Sequence, residues 1–245
     1  MEKPEVAPSG LQPLAIVVPV HDEPENLSAL VERVERHVPP PFTLYIMYDS
    51  ESDTTLPAAR ALQRDRPWLR LLENDLAPGV VGAVRAGLRA VREGPTLVTM
   101  ADSDDDLSIV PTLLARYGDG YRIVCPSRFA PGGRQFGGSF LKRLLLQVTG
   151  LSLRVLVGFP TRDLNNGFRL YDASLVNQLT IESKEGFELA MELTVKAFRR
   201  GVQIVEVPTT WTDRREGRSA HGTGGWLRSY LRWYVYALRS GRHRP

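Results

Sequence analysis

Between residues 14 and 127 short apolar runs alternate with helical patterns, and few architectures accept that alternation. The runs are "LAIVVPV" (14–20), "FTLYIMY" (42–48), "WLRLLEN" (68–74), "TLVTMA" (96–101) and "YRIVCPS" (121–127). Their apolar character on consecutive positions predicts strands buried on both faces. Between them, "EPENLSALVERVERHV" (23–38) places Leu27, Leu30, Val31 and Val34 on one helical stripe, and further helices are expected near 54–64, 80–92 and 109–117. Strand–helix alternation of this kind predicts an α/β fold, with a mostly parallel central sheet and helices on both faces. In such sheets ligands bind beyond the carboxyl ends of the strands.

After residue 127 the pattern loosens. A Gly-rich loop (128–139) precedes an expected helix at 140–157, a strand at 167–172, a helix near 187–199 and strand-like "VQIVEVPTTW" at 202–211. No repeat and no Pro-, Gly- or Ser-rich linker divides the 245 residues. The expected organisation is a loose leader (1–13), one catalytic domain (14–219) and a basic, aromatic C-terminal helix and tail (220–245).

Compartment and charge narrow the function classes. The leader has no apolar core of the kind that a signal peptide needs, and no run reaches the roughly 18 apolar residues of a membrane span. Cys125 has no partner for a disulfide and reads as a small core residue of a cytoplasmic protein. The net charge of +3 conceals an asymmetry: residues 211–245 carry eight arginines against Asp213 and Glu216, which leaves the rest net negative. A basic tail suits an anionic partner such as phosphate, a lipid surface or nucleic acid. With the arginines confined to the tail and the expected cleft acidic, nucleic acid is the least supported of the three.

The cleft expectation rests on "LVTMADSDDDLS" (97–108), where four carboxylates occupy five positions behind a strand. Like charges this close repel, so they need open water or a cation. If the strand continued, Asp102, Asp104 and Asp106 would point one way at period two. Hard divalent cations take oxygen ligands, and Mg²⁺ uses one or two carboxylates plus substrate phosphates. The competing reading is a solvated acidic turn that caps the helix beginning near 108. His21, Asp22 and Glu23 end the first strand, and Asp49 and Asp53 follow the second, so three strands deliver acids to one edge. Neither GxxxxGK[ST] nor GxGxxG is present, which argues against a P-loop or a dinucleotide fingerprint.

Taken in order, "VVPVHDEPENL", "YDSESDTT", "MADSDDD", "CPSRFAPGG", "RDLNNGFRLYD" and "EGFELAMELTVKAFRRGVQIVEVPTTWTDRREGRS" resemble the polyprenyl-phosphate glycosyltransferases of glycosyltransferase family two, the dolichol-phosphate mannose synthase-like group. The resemblance implies a GT-A (Rossmann-like) fold and an inverting, Mg²⁺- or Mn²⁺-assisted transfer of a hexose from a GDP- or UDP-linked sugar to a lipid phosphate. It implies nucleotide contacts for Pro19, His21, Glu23, Asp49 and Asp102, and metal binding for Asp102, Asp104 and Asp106. Arg128 matches an arginine near the acceptor phosphate, and Asp163, Arg169 and Glu192 match catalytic-site positions. Arg214, Arg215, Arg218 and Ser219 match a basic loop that closes over the phosphates. Tyr48 departs from the pattern, standing where the family has the first Asp of a DDxS motif.

An acceptor phosphate, with a second pKa of about 6, is already anionic at neutral pH and needs no general base. A sugar or other hydroxyl acceptor would need one, and Asp163 or Glu192 would then have to supply it. The tail segment "GWLRSYLRWYVYALRSGRHRP" places Trp226, Leu227, Tyr230, Leu231, Tyr234 and Leu238 on one helical face. That face fits either a bilayer interface, giving peripheral contact at the cytoplasmic side of the membrane, or packing on the core or a second subunit.

Overall fold

β1 (Leu14–Pro19) is buried at every position, as a strand covered on both faces must be. Its alternate side chains enter different layers. Ile16 and Val18 pack with Leu44 and Ile46 of β2 (Phe42–Tyr48) beneath α1 (Pro24–His37) and α2 (Leu56–Gln63). Val17 and Met47 face the other way, toward Val84 and Leu88 of α3 (Val80–Ala90). The stripe Leu27, Leu30, Val31 and Val34 of α1 is wholly buried, as its spacing requires. Burying such a side chain contributes about 1.5–3 kcal/mol, so this doubly covered sheet carries most of the stability.

A computed structural model of the chain describes residues 12–102, 104–184, 186, 188–212 and 225–239. Among them β3 (Leu69–Glu73), β4 (Pro95–Val98), α4 (Val110–Gly118) and β5 (Ile123–Ser127) continue the alternation. Then come β6 (Arg134–Phe136), α5 (Phe140–Val157), β7 (Arg169–Asp172), α6 (Ala173–Val176), α7 (Glu188–Arg199), β8 (Ile204–Pro208), β9 (Thr210–Thr212) and α8 (Gly225–Leu238). The main sheet runs β3-β2-β1-β4-β7-β5-β8. Its neighbours are parallel except β7, which lies antiparallel between β4 and β5. β6 and β9 pair in a separate two-stranded parallel ribbon.

Three sequence expectations need correction. The strand expected over 96–101 ends at Val98, and the chain turns at 101–102, so Asp102, Asp104 and Asp106 do not continue it at period two. The second is the β6–β9 ribbon, for the Gly-rich stretch 128–139 contains β6, and the apolar run 202–211 divides into β8 and β9 at Thr209, whose amide bonds the Ser127 carbonyl at 3.0 Å.

The third concerns the C-terminal helix. α8 docks on the protein through Trp233 and Ala237, which are buried against Leu153 and Val157 of α5 and Met191 and Val195 of α7. Of the stripe expected to be its apolar face, Tyr230, Tyr234 and Leu238 pack against this cluster, whereas Leu231 is exposed and the buried anchors Trp233 and Ala237 lie outside the expected set. Aromatic and aliphatic residues occur on several sides of this helix, so periodicity alone did not choose one.

α5 sits close to the following loop because Gly150 lacks a side chain. A Cβ there would lie 1.9 Å from the Arg162 carbonyl oxygen. Gly150→Ala is therefore expected to destabilise the fold by about 1–3 kcal/mol through overpacking. A lowered urea midpoint at unchanged slope would show it.

Candidate active site

The carboxyl ends of β1 and β2 are stitched together. The Val20 amide bonds the Met47 carbonyl at 2.9 Å, and the Asp22 amide donates to Asp53 Oδ1 at 3.1 Å. In return Asp22 Oδ1 accepts from the Thr54 amide and hydroxyl at 3.0 and 2.9 Å, which holds the Asp22 carboxyl below the usual range. Asp22 has a positive φ of 54°, so this turn aims its side chain across the gap rather than along the strand. The Glu23 amide donates to Thr55 Oγ1 at 2.8 Å. Pro19 closes β1 and is buried, whereas the His21 imidazole is largely exposed at 3.9 Å from Asp22. Asp53, Thr54 and Thr55 thus shape the turn that follows β1, a role that the sequence did not disclose because their partners lie about thirty positions away.

Asp49 is more a tie than a free ligand. Its Oδ1 accepts from Asn74 Nδ2 and its Oδ2 from the Gly79 amide, both at 2.7 Å. One side chain therefore joins the ends of β2 and β3 to the start of α3. Tyr48 uses its hydroxyl on Glu51 at 3.1 Å.

The acidic loop separates its carboxylates by function. Asp105 is buried and accepts from the Thr99 hydroxyl at 2.8 Å, which folds the loop back on the end of β4. Asp106 caps the 3-10 turn at 107–109, accepting from the Ser108 amide at 3.1 Å and its hydroxyl at 2.5 Å. Asp102 is half-buried and Asp104 is exposed. Among the described residues no three His, Cys, Asp or Glu side chains converge as a metal-ligand group. The expected trio is thus not formed: Asp106 is committed to the cap, and Asp102 and Asp104 are left on the rim. Two carboxylate-bearing residues at the cleft still suit a hard divalent cation that takes its other oxygens from water and a diphosphate.

Arg128, expected near the acceptor phosphate or in a structural ion pair, and Asp163, expected at the catalytic site, form one buried unit. Arg128 Nε and Nη2 donate to the two carboxylate oxygens at 2.7 and 2.8 Å, and its amide adds a bond of 3.0 Å. The Asp163 side chain is fully buried and that of Arg128 is 11% exposed. Burial disfavours the charged guanidinium, but the hydrogen bonds and charge of Asp163 outweigh it and raise the Arg128 pKa. The guanidinium also stacks near Phe129 and Trp211, at 5.2 and 5.5 Å from the ring centroids.

Arg169 is wholly buried and bonds the carbonyls of Asp163 and Ala190, each at 2.8 Å, and Thr194 Oγ1 at 2.5 Å. It fixes the backbone that carries Asp163. Glu192 is equally buried: its oxygens accept from the Glu182 and Ser183 amides at 2.7 Å each, and from Lys196 at 2.6 Å. It holds the loop before α7. Tyr230 of α8 comes near enough to feel the charges of Glu188, Arg169, Arg128 and Asp163, and burial pushes its phenol up. Sequence periodicity gave it only an apolar role. Arg214, Arg215, Arg218 and Ser219 lie outside the described residues.

Residues 15–180 match the family model described as Glycosyl transferase family 2. The chain belongs to glycosyltransferase family 2. As a family 2 glycosyltransferase it has the GT-A arrangement described above. An undecaprenyl-phosphate mannosyltransferase of Micrococcus luteus is 27% identical over 214 residues, covering 85% of this chain and 87% of the relative. A polyprenol monophosphomannose synthase of Mycolicibacterium smegmatis is also 27% identical, over 83% of this chain and 79% of its own. Among solved structures, the glucosyl-3-phosphoglycerate synthase of Mycobacterium tuberculosis, crystallised with Mn²⁺, UDP and glucosyl-3-phosphoglycerate, superposes with a TM-score of 0.71. It covers 94% of this chain and 81% of its own at 18% identity, a likeness of fold.

Proposed function

We propose that this family 2 transferase moves a hexose from a nucleoside-diphosphate sugar to a polyprenyl phosphate, with inversion and with help from Mg²⁺ or Mn²⁺. The observation that carries the reading is similarity over more than four-fifths of the chain to two enzymes, one named for undecaprenyl phosphate and the other for the product polyprenol monophosphomannose. Mannose, the sugar in both names, is the first to test, with GDP and UDP as alternative carriers.

The chemistry of the chain supports a phosphate acceptor. An oxygen of the acceptor phosphate attacks the anomeric carbon as the bond from that carbon to the nucleoside diphosphate breaks. The acceptor is anionic already, so no side chain need take a proton. Asp163 is bound two-pronged by Arg128 and Glu192 by Lys196 and two amides, which suits positioning rather than proton transfer. The carboxyl ends of β1 and β2, bearing Pro19, His21, Glu23 and Asp49, would shape the nucleotide end. Asp102 and Asp104 would hold the metal, with Asp106 stiffening their loop. A bound cation would supply charge neutralisation for the leaving diphosphate. Arg214, Arg215, Arg218 and Ser219, matched by resemblance to phosphate contacts, would add to it, and Arg128 would lend positive charge near the acceptor.

The acceptor is a membrane lipid, so the enzyme would work peripherally at the cytoplasmic face. Among the described residues no helix is long and apolar enough to cross a membrane. Radiolabelled GDP-mannose and UDP-glucose, each incubated with a short-chain polyprenyl phosphate or the corresponding alcohol, test the proposal. Label should enter the solvent-extractable lipid with one donor and only with the phosphate. Transfer to the alcohol, or none with either donor, would overturn it.

A further inference from the structure

The ribbon of β6 and β9, three residues a side, adds nothing to the described apolar core. Arg134 and Phe136 of β6 are exposed, and Trp211 of β9 belongs to none of the buried clusters. Core packing therefore does not explain where the ribbon sits. To reach β6 the chain turns back over its own Ser127 and Arg128: Gly132 has a positive φ of 89°, and a Cβ on Gly133 would lie 2.4 Å from the Ser127 carbonyl oxygen and 2.8 Å from that of Arg128. Only glycine permits that approach. From the other strand, the Thr209 amide bonds the Ser127 carbonyl at 3.0 Å, and the Arg134 amide bonds the Thr209 carbonyl at 2.9 Å. The register sets Trp211 opposite Gln135 and brings its ring to 5.5 Å from the Arg128 guanidinium, with Phe129 offering a second ring at 5.2 Å.

These contacts leave one edge of the guanidinium available. Nε and one N–H of Nη2 are committed to Asp163, whereas Nη1 has no hydrogen-bond partner among the described residues and is not sealed from solvent. An aromatic face restrains a guanidinium by attraction between charge and quadrupole, and it uses none of the N–H groups. The outer fork, Nη1 with the second N–H of Nη2, thus stays open to a two-pronged bond with an anion.

We propose that Trp211 is a positioning residue for transfer: its ring fixes the plane of Arg128, so that the outer edge of the guanidinium receives two oxygens of the acceptor's phosphate monoester. A fork held in place beforehand loses less side-chain freedom on binding. The inference deepens the proposed function and rests on it for the identity of that phosphate. The donor's diphosphate is the other phosphate in such a site, and the sheet order speaks against it. β7 separates β5, which leads into Arg128, from β4 and its acids, and β1 and β2 lie farther still.

The test compares Trp211→Leu with Trp211→Phe in the full chain, since phenylalanine keeps a ring face and leucine does not. With farnesyl phosphate as acceptor, Trp211→Leu should raise the acceptor KM about tenfold, the scale of one partly desolvated contact between a cation and a ring. The donor KM should not change, and Trp211→Phe should recover most of the loss. Melting midpoints of the two variants should agree, because the residue lies outside the core clusters. A wild-type acceptor KM in Trp211→Leu, a rise in the donor KM instead, or equal losses in both variants would overturn the assignment. A lower midpoint with unchanged KM values would do the same and mark the ring as packing alone. Calorimetric titration with farnesyl phosphate, and with farnesol as control, needs no turnover. The wild type and Trp211→Phe should bind the phosphate, and Trp211→Leu should bind it about tenfold more weakly. That pattern beside a wild type that transfers no sugar would count against the lipid-phosphate acceptor and leave Trp211 at a phosphate site. Equal binding by all three proteins, or binding by none, would overturn the role of Trp211.

Discussion

Replacing Asp104 with Ala is expected to lower the transfer rate by about 10²–10³-fold, the scale on which loss of one charge-stabilising group at a reacting centre is felt. The thermal midpoint should not move. Asp104 is exposed and no hydrogen bond holds its carboxylate among the described residues, whereas Asp105 is buried on Thr99 and Asp106 caps the next turn. Asp102→Ala should behave alike in rate. Asp105→Ala should differ in kind, reducing stability by about 1–3 kcal/mol because the Thr99 hydroxyl loses its buried partner. Rate and melting measured side by side on the three variants separate a metal-holding carboxylate from a loop-holding one. An Asp104→Ala enzyme as fast as wild type would remove the cation from that position.

Breaking the Arg128–Asp163 pair is expected to have the largest effect on stability. Asp163→Ala strands a guanidinium that is nearly inaccessible to water, and loss of one partner from a buried pair costs about 3–5 kcal/mol. Replacing both, as Arg128→Met with Asp163→Leu, should recover much of the stability, since no buried charge is then left alone. It should not recover transfer, because the positive charge beside the acceptor position and the backbone grip of Asp163 are both gone. Chemical denaturation of Arg128→Met, Asp163→Leu and the double variant gives the coupling directly. Near-additive losses would mean that the pair does not act as a unit.

Much of the fold was legible because it obeys local rules. β1 and β2 could be read from apolar runs that both faces of a sheet require, and α1 from a stripe at helical spacing. The misreadings share a cause in long-range pairing. β6 is three residues of mixed polarity held by β9, over seventy positions away, and nothing in "RQF" announces it. β4 stops at Val98 because Thr99 turns to hold Asp105, a contact that periodicity cannot foresee. Likewise, the position of Arg128 and Asp163 near one site followed from a family resemblance, but their pairing did not. Side chains 35 residues apart meet only once β5 and the loop before β7 are in place.

Titration of the wild-type protein with GDP and with UDP, each in the presence of Mn²⁺ and of EDTA, tests the central claim most directly. The account predicts that one nucleotide binds with Mn²⁺ and at least tenfold more weakly with EDTA, because the acids behind β4 hold a cation against a diphosphate. Binding of neither, or equal binding with and without the metal, would contradict it and leave those aspartates as a capped and hydrated turn.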